Sequence, residues 1–534
     1  MALTKDEIAT CAKRLASSND RRHYNDIVKL VSQYPTMSNV ELGTFENEEP
    51  TLRYLTLALL PVFRKLFTRG QLNPTKASSA SEKQFFLWCR KLYNSFKSKL
   101  LHCISTIPFE SSLALDCLDA YMQLINQEAI HLASHEDAPF FPNKTLKALL
   151  VALFKCDFPS SVDAADGHSK NPVVLEFAQS YYQKYVDIQY YFQAELAGLT
   201  LEPDSLKNHD HTQLMAKWLS IMNHDNHYTS GDADLEIFVP QPPQAMENEN
   251  QFRTNLEKNW LFFLNLGGLS ATQYKTTLLI LHKRVIPHFH TPTKLMDFLT
   301  DSYDLGDHVL SLLALNGLFE LMKRYNLEYP RFYTKLYHLV TPGLMHVKHR
   351  SRFLRLTDLF LSSTHISANL IAAFIKRLAR LTLDAPPGAI VSVLPFIYNL
   401  LKKHPTCMIM LHDPDYISNT FAEPDQVALV KERRSQYQDP YQMDEPNPEL
   451  TNAIGSSLWE LDSLTNHYHP NVATLAKIFS QPFRKHSYNM EDFLDWSYDS
   501  LLQAEVTRRL KISPALEFEE QGAPLGNYIT CVNW

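Results

Sequence analysis

Three groups of side chains in this 534-residue chain have the types and spacing that chemistry would need. Histidines cluster twice, with His282, His288 and His290 in LHKRVIPHFHTP and His467 and His469 in NHYHP. Zinc takes four Cys or His ligands in fixed geometry, or three and an open position where it is catalytic. Neither cluster has a cysteine or carboxylate at ligand spacing, so both read as histidines at proline-terminated helix ends. The acidic pairs Asp413/Asp415 and Asp444/Glu445 have the chemistry for Mg²⁺ or for acid–base work. They lie in a proline-rich stretch where nothing local fixes their geometry, and they read as a solvated acidic face. The third group is basic. In MHVKHRSRFLRL, Lys348, Arg350, Arg352 and Arg355 alternate with apolar residues, and Lys376, Arg377 and Arg380 follow on the next amphipathic stretch. These seven cations are candidates for phosphate contacts or for an acidic protein surface. The competing reading is a solvated helix face paired with the acidic segment downstream. No GxxxxGK[ST], GxGxxG, GxSxG or HExxH occurs, so no catalysis, cofactor, metal or small-molecule substrate is expected.

The elements that must position these groups read as helices. Only 14 glycines occur, under half of ordinary usage, which leaves few positive-φ positions for the tight turns of sheets. Leucine-rich segments with 3.6-residue periodicity dominate instead, and two examples show it. After LDAPP, residues Ile390, Val393, Leu394, Ile397 and Leu401 share one face, with Asp384 as a cap and Pro395 as a bend. The preceding helix buries Ile371, Phe374, Ile375 and Leu378 and is expected to leave Lys376, Arg377 and Arg380 outside. Such helical hairpins, with no fixed period, predict an all-α, irregular HEAT/armadillo-like solenoid. At the start of the chain, Thr4 with Glu7 three residues on reads as a helix cap, not as a signal segment. The apolar runs are too short to span a bilayer. Seven scattered cysteines without CxxC read as reduced, mostly buried thiols.

Composition divides the chain. Residues 1–222 form an N-terminal helical region and 223–250 a polar linker with PQPP and MENEN. Residues 251–511 form a second helical region with an acidic, extended excursion at 413–455, and 512–534 a tail. Net charge is −7, which opposes non-specific nucleic-acid binding by the whole molecule. The average conceals polarity. Residues 323–380 hold eleven Lys or Arg against two acids, whereas 413–460 hold ten acids against three bases. Trp459, in SSLWEL, is the aromatic candidate for anchoring a partner, against packing within its own helix.

The segment 331–405, containing APPGAI, LPFIYNLLKKHP and the basic stretch, resembles the CCAAT-binding-factor type domain of the nucleolar complex proteins. Residues 439–479, with DPYQMDEPNPEL, SSLWEL and HYHP, are similar to the second half of that domain. The resemblance covers roughly residues 300–480. It implies a nucleolar, non-catalytic factor of the small-subunit processome, needed for 18S rRNA maturation and 40S export. It also implies a complex with nucleolar protein fourteen through the C-terminal helical half. Other processome proteins are implied as neighbours, and pre-rRNA contact as mostly indirect. A HEAT-type nuclear transport adaptor is the alternative that shares the composition.

Overall fold

The computed structural model describes residues 4–17, 21–34, 42–73, 79–107, 110–133, 139–156, 167–201, 210–229, 235–412 and 423–509. Among these residues there is no β-strand, and an isolated parallel bridge joins Tyr185 and Glu236. The fold is all-α, as the glycine poverty and the periodicity predict. Two compact units share it, Met1–Tyr329 and Pro330–Trp534.

In the first unit, the cap read from Thr4 and Glu7 forms in both directions: the Thr4 N–H donates to the Glu7 carboxylate at 2.9 Å, and the Glu7 N–H to Thr4 Oγ1 at 3.4 Å. Helix Leu42–Thr68 runs unbroken through Pro50 and Pro61. Its stripe of Leu52, Leu55, Leu59, Val62, Phe63 and Leu66 is buried, and that packing outweighs the one donor each proline forfeits. It packs on Ser112–His131, which packs on Ala80–Thr106; that helix meets Asn143–Lys155, which meets Val186–Thr200, which meets Glu249–Leu264. Each helix thus covers the apolar stripe of a neighbour, the stacking expected of irregular helical hairpins. Trp218 stacks on Phe263 at 4.6 Å and meets Trp260 edge-on at 5.3 Å in the core.

The described parts of the polar stretch, 223–229 and 235–250, lie inside this unit. Asp187 at the head of Val186–Thr200 accepts the N–H groups of Phe238 and Val239 at 3.1 and 2.8 Å. Asn126 donates to the Phe238 carbonyl, and the Phe140 N–H to that of Gln241. A segment with the composition of a linker is therefore held by hydrogen bonds to its backbone. Contact density divides the chain between Tyr329 and Pro330 instead.

In the second unit, helix Pro387–Lys403 is buried along its length from Pro387 to Leu401. Around it pack Ala368–Leu381, Arg350–Phe360, Pro470–Ala476, Glu491–Leu494 and Tyr498–Thr507. Its N-cap is Pro386 rather than Asp384, and the helix continues through Pro395. The acidic excursion is corrected in part. Residues 413–422, with Asp413 and Asp415, lie outside the described residues, as does the tail 512–534. Pro424–Ser435 is a helix where an extended run is expected. Beyond it the chain folds back, and the turns Pro448–Leu450 and Ala453–Gly455 pack on Ala368–Leu381.

Candidate interaction site

Helix Ala368–Leu381 is capped by Ser367, whose hydroxyl accepts the Leu370 N–H at 3.4 Å. Ile371, Phe374, Ile375 and Leu378 are fully buried, as their spacing predicts. Lys376 is buried as well, with a side chain 0% exposed, so the expectation that it faces outward is overturned. The reason is the returning chain, which covers this side of the helix with residues 439–460.

The lysine ammonium lies 2.7 Å from Glu460 Oε1, 2.6 Å from the Ser457 carbonyl and 3.5 Å from Asp439 Oδ2. One turn on, Arg380 donates from Nε to Glu460 at 2.8 Å and from Nη2 to Asp439 at 2.8 Å. Glu460 is also fully buried. Asp439 additionally accepts from the Ser456 hydroxyl at 2.5 Å and the Tyr441 N–H at 3.1 Å. Burial alone would raise the Asp439 carboxyl, but these hydrogen bonds and the Lys376 charge bring it below its ordinary value. Trp459 lies over this cluster. Its ring centroid is 4.9 Å from the Arg380 guanidinium, and its Nε1–H reaches Asp439 at 3.4 Å. Two cations and two carboxylates thus neutralise each other and hold an aromatic ring that remains 42% exposed.

The other candidate cations divide. Arg377 donates to the Val340 and Met443 carbonyls at 2.7 and 3.3 Å and stacks on Tyr337 at 4.5 Å. Arg350 donates to the carbonyls of Met345, Gly388 and Trp496 at 2.8, 3.4 and 3.3 Å, and burial lowers the pKa of its guanidinium. A Cβ at Gly388 would lie 2.9 Å from that Trp496 oxygen, which explains a glycine inside this helix. Arg355 holds Glu491 bidentately at 2.8 and 2.6 Å. Only Lys348 and Arg352 are exposed without an ion pair to a described residue. The basic stretch is thus mostly a set of braces within the fold.

The histidines rearrange the predicted clusters. His288 meets His227 at 4.6 Å between ring centroids, and His227 meets His224 at 4.4 Å. All three are buried, and burial lowers them to about 4 for His224, about 2 for His227 and about 4 for His288. Their rings lie against each other at tilts of 33° and 43° rather than pointing at a common centre. Among the described residues no group of three or more His, Cys, Asp or Glu side chains converges to hold a metal ion. His469 caps helix Pro470–Ala476 by accepting the Asn471 N–H, the helix-end role its spacing indicates. No described helix is long and apolar enough to cross a membrane.

Residues 4–204 match the family model described as nucleolar complex protein 4-like, TPR repeats, and 311–476 match the CBF/Mak21 family. Nucleolar complex protein 4 of Saccharomyces cerevisiae is 58% identical over 97% of this chain and 95% of its own length. The chain belongs to the nucleolar complex protein 4 family. The homologue from Gallus gallus is 32% identical over 86% of this chain and 87% of its own. An uncharacterized Schizosaccharomyces pombe protein is 39% identical over 94% of this chain and 95% of its own. The second family match contains most of the site: Lys376, Arg380, Asp439, Trp459 and Glu460 all fall within it. The N-terminal half, which the sequence offers only as a helical region of suitable size, has a family match of its own.

The sequence offers the acidic segment downstream as a partner of the basic helix, but Asp439 and Glu460 were not singled out within it. A signal was present, since Glu460 stands between Trp459 and Leu461, and a carboxylate buried with such neighbours needs a counter-charge. His224 and His227 left no such signal, because neither has a periodic or motif context.

Proposed function

We propose that the protein is a non-catalytic scaffold for building the small ribosomal subunit in the nucleolus, serving 18S rRNA maturation and 40S assembly and export. It acts within the small-subunit processome, in complex with nucleolar protein fourteen and neighbouring processome proteins, and reaches pre-rRNA mostly indirectly. The observation that carries this reading is the near-full-length likeness to nucleolar complex protein 4. The site chemistry agrees with it: the charged groups of the second unit hold segments of the chain to one another, with Lys376 and Glu460 sealed from any substrate. The test is affinity purification of the tagged full-length protein from nuclear extract. Nucleolar protein fourteen and 18S precursors are expected to co-purify, and depletion is expected to lower mature 18S rRNA. Recovery of transport receptors without ribosomal precursors would instead establish the adaptor reading.

A further inference from the structure

In HYHP the two histidines serve the fold, while the tyrosine between them, Tyr468, stands 80% exposed. Apolar side chains exposed singly need no partner. This one is held from both sides. The His467 N–H donates to the Leu464 carbonyl and the Ala473 N–H to that of His469, both at 3.1 Å. Between these ties each imidazole closes a turn. Nδ1 of His467 accepts the His469 N–H at 3.0 Å, and Nδ1 of His469 accepts the Asn471 N–H at 3.3 Å. A side-chain acceptor two residues before a backbone donor is the geometry with which Asp and Asn fix turns. Pro470 adds a fixed φ at the start of the next helix. The His467 ring lies against Tyr468 at 4.3 Å with a tilt of 31°, and His469 stands edge-on to it at 6.4 Å. Among the described residues the phenol hydroxyl has no hydrogen-bond partner.

Resting on the scaffold reading above for the partner's setting, we propose that Tyr468 is an anchor that enters an apolar pocket on a partner protein. Its hydroxyl then donates to a carbonyl or carboxylate oxygen in that pocket. A tyrosine brings a large apolar ring and a polar tip on few rotatable bonds, which is why it recurs where binding energy is concentrated. Here the loop is fixed before binding, so little ordering entropy is lost on contact. Charge decides the class of partner. Residues 463–476 hold no Asp, Glu, Lys or Arg. Nucleic-acid stacking sites combine their aromatics with cations that follow the phosphates, and this tip offers none. An uncharged aromatic tip instead matches the core of a protein interface, where charged residues are depleted.

The test places a photoreactive benzoylphenylalanine at the exposed Asn466 of the full-length protein, leaving Tyr468 intact, crosslinks in cells and sequences the attached peptide. The expected product is a peptide of one ribosome-assembly factor, from a surface with an apolar pocket. That factor, purified, should bind the full-length chain at least roughly ten-fold more weakly after Tyr468→Ala. Tyr468→Phe, which keeps the ring and loses the hydroxyl, should weaken binding about five-fold. His469→Ala should weaken it too, and His469→Asn should restore it, because a carboxamide closes the same turn. The urea midpoint of Tyr468→Ala should match that of the unaltered chain, which separates a lost contact from a lost fold. Crosslinks to RNA, to this chain itself or to nothing would overturn the proposal, as would unchanged binding after Tyr468→Ala. A crosslinked protein from outside ribosome assembly would leave the anchor standing while removing the scaffold reading. Co-purification of 18S precursors with no product at the loop would do the reverse.

Discussion

A lysine sealed from water is tolerable only while its charge is answered, and Lys376 is answered chiefly by Glu460 at 2.7 Å. Glu460→Leu removes that answer and leaves the ammonium with Asp439 at 3.5 Å. The loss should be about 3–5 kcal/mol of stability, read from urea midpoints of the full-length protein. Lys376→Met added to it should recover most of that loss, because the pair is then replaced by apolar volume and Arg380 keeps Asp439. A double variant as unstable as the single one would contradict this. The exposed cations behave differently. Lys348→Glu with Arg352→Glu should change stability by no more than about 0.5 kcal/mol. Arg377→Glu should lower it clearly, since it removes donors from the Val340 and Met443 carbonyls and a stacked cation from Tyr337. The sequence identified these residues as cations on one stretch of chain. It did not show which were inward, because Glu460 lies 84 residues from Lys376 along the chain.

Between elements, the segment carrying His224 and His227 is held against the turn Ile286–His288 by tilted, contacting neutral imidazoles. Burial is the largest influence on each ring and opposes protonation; Arg284 and Arg253 add to it, while Asp225 and Glu249 act against it. Each folded-state value lies below the ordinary histidine value of about 6.5, so the unfolded chain binds protons that the folded chain refuses. Stability from these packed rings is complete above that pH and is lost as the pH falls. The loss approaches about 1.4 kcal/mol per pH unit for each ring, levelling near pH 4 for His224 and His288 and near 2 for His227. Urea midpoints measured from pH 7 to 5 should therefore fall steeply, and His227→Gln should flatten the slope by about a third of the histidine contribution. An unchanged slope in that variant would assign the pH dependence to other groups. A helix end was legible where its cap is written in the sequence, as Thr4 and Glu7 show. The histidine contact was not, because it joins a polar stretch to a turn and neither has a repeating pattern.

Across the whole molecule, the polarity written in the sequence is largely satisfied internally. The basic stretch and the acidic stretch that follows it meet within one unit, where Lys376 and Arg380 face Asp439 and Glu460. Arg355 is taken by Glu491. Charge counting shows such an asymmetry but cannot say whether a partner or the chain itself answers it. The division at Tyr329 and Pro330 was hidden for a related reason. Proline and acidic residues at 223–250 look like a linker, while the hydrogen bonds that Phe238 and Val239 donate to Asp187 leave no trace in composition. With a net charge of −7 and only Lys348 and Arg352 of the seven candidate cations exposed without an ion pair to a described residue, little electrostatic attraction to RNA remains. Single-stranded RNA releases counterions with a slope of about −0.7 in log affinity against log salt for each phosphate engaged. Two contacts give about −1.4. Fluorescence anisotropy of the isolated full-length protein with an RNA oligonucleotide between about 50 and 200 mM salt should show weak binding with a slope of that size. Lys348→Glu with Arg352→Glu should bring the slope close to zero. A slope steeper than about −4 would require six or so phosphate contacts, and the braced arginines would then have to leave their carbonyls and carboxylates to make them.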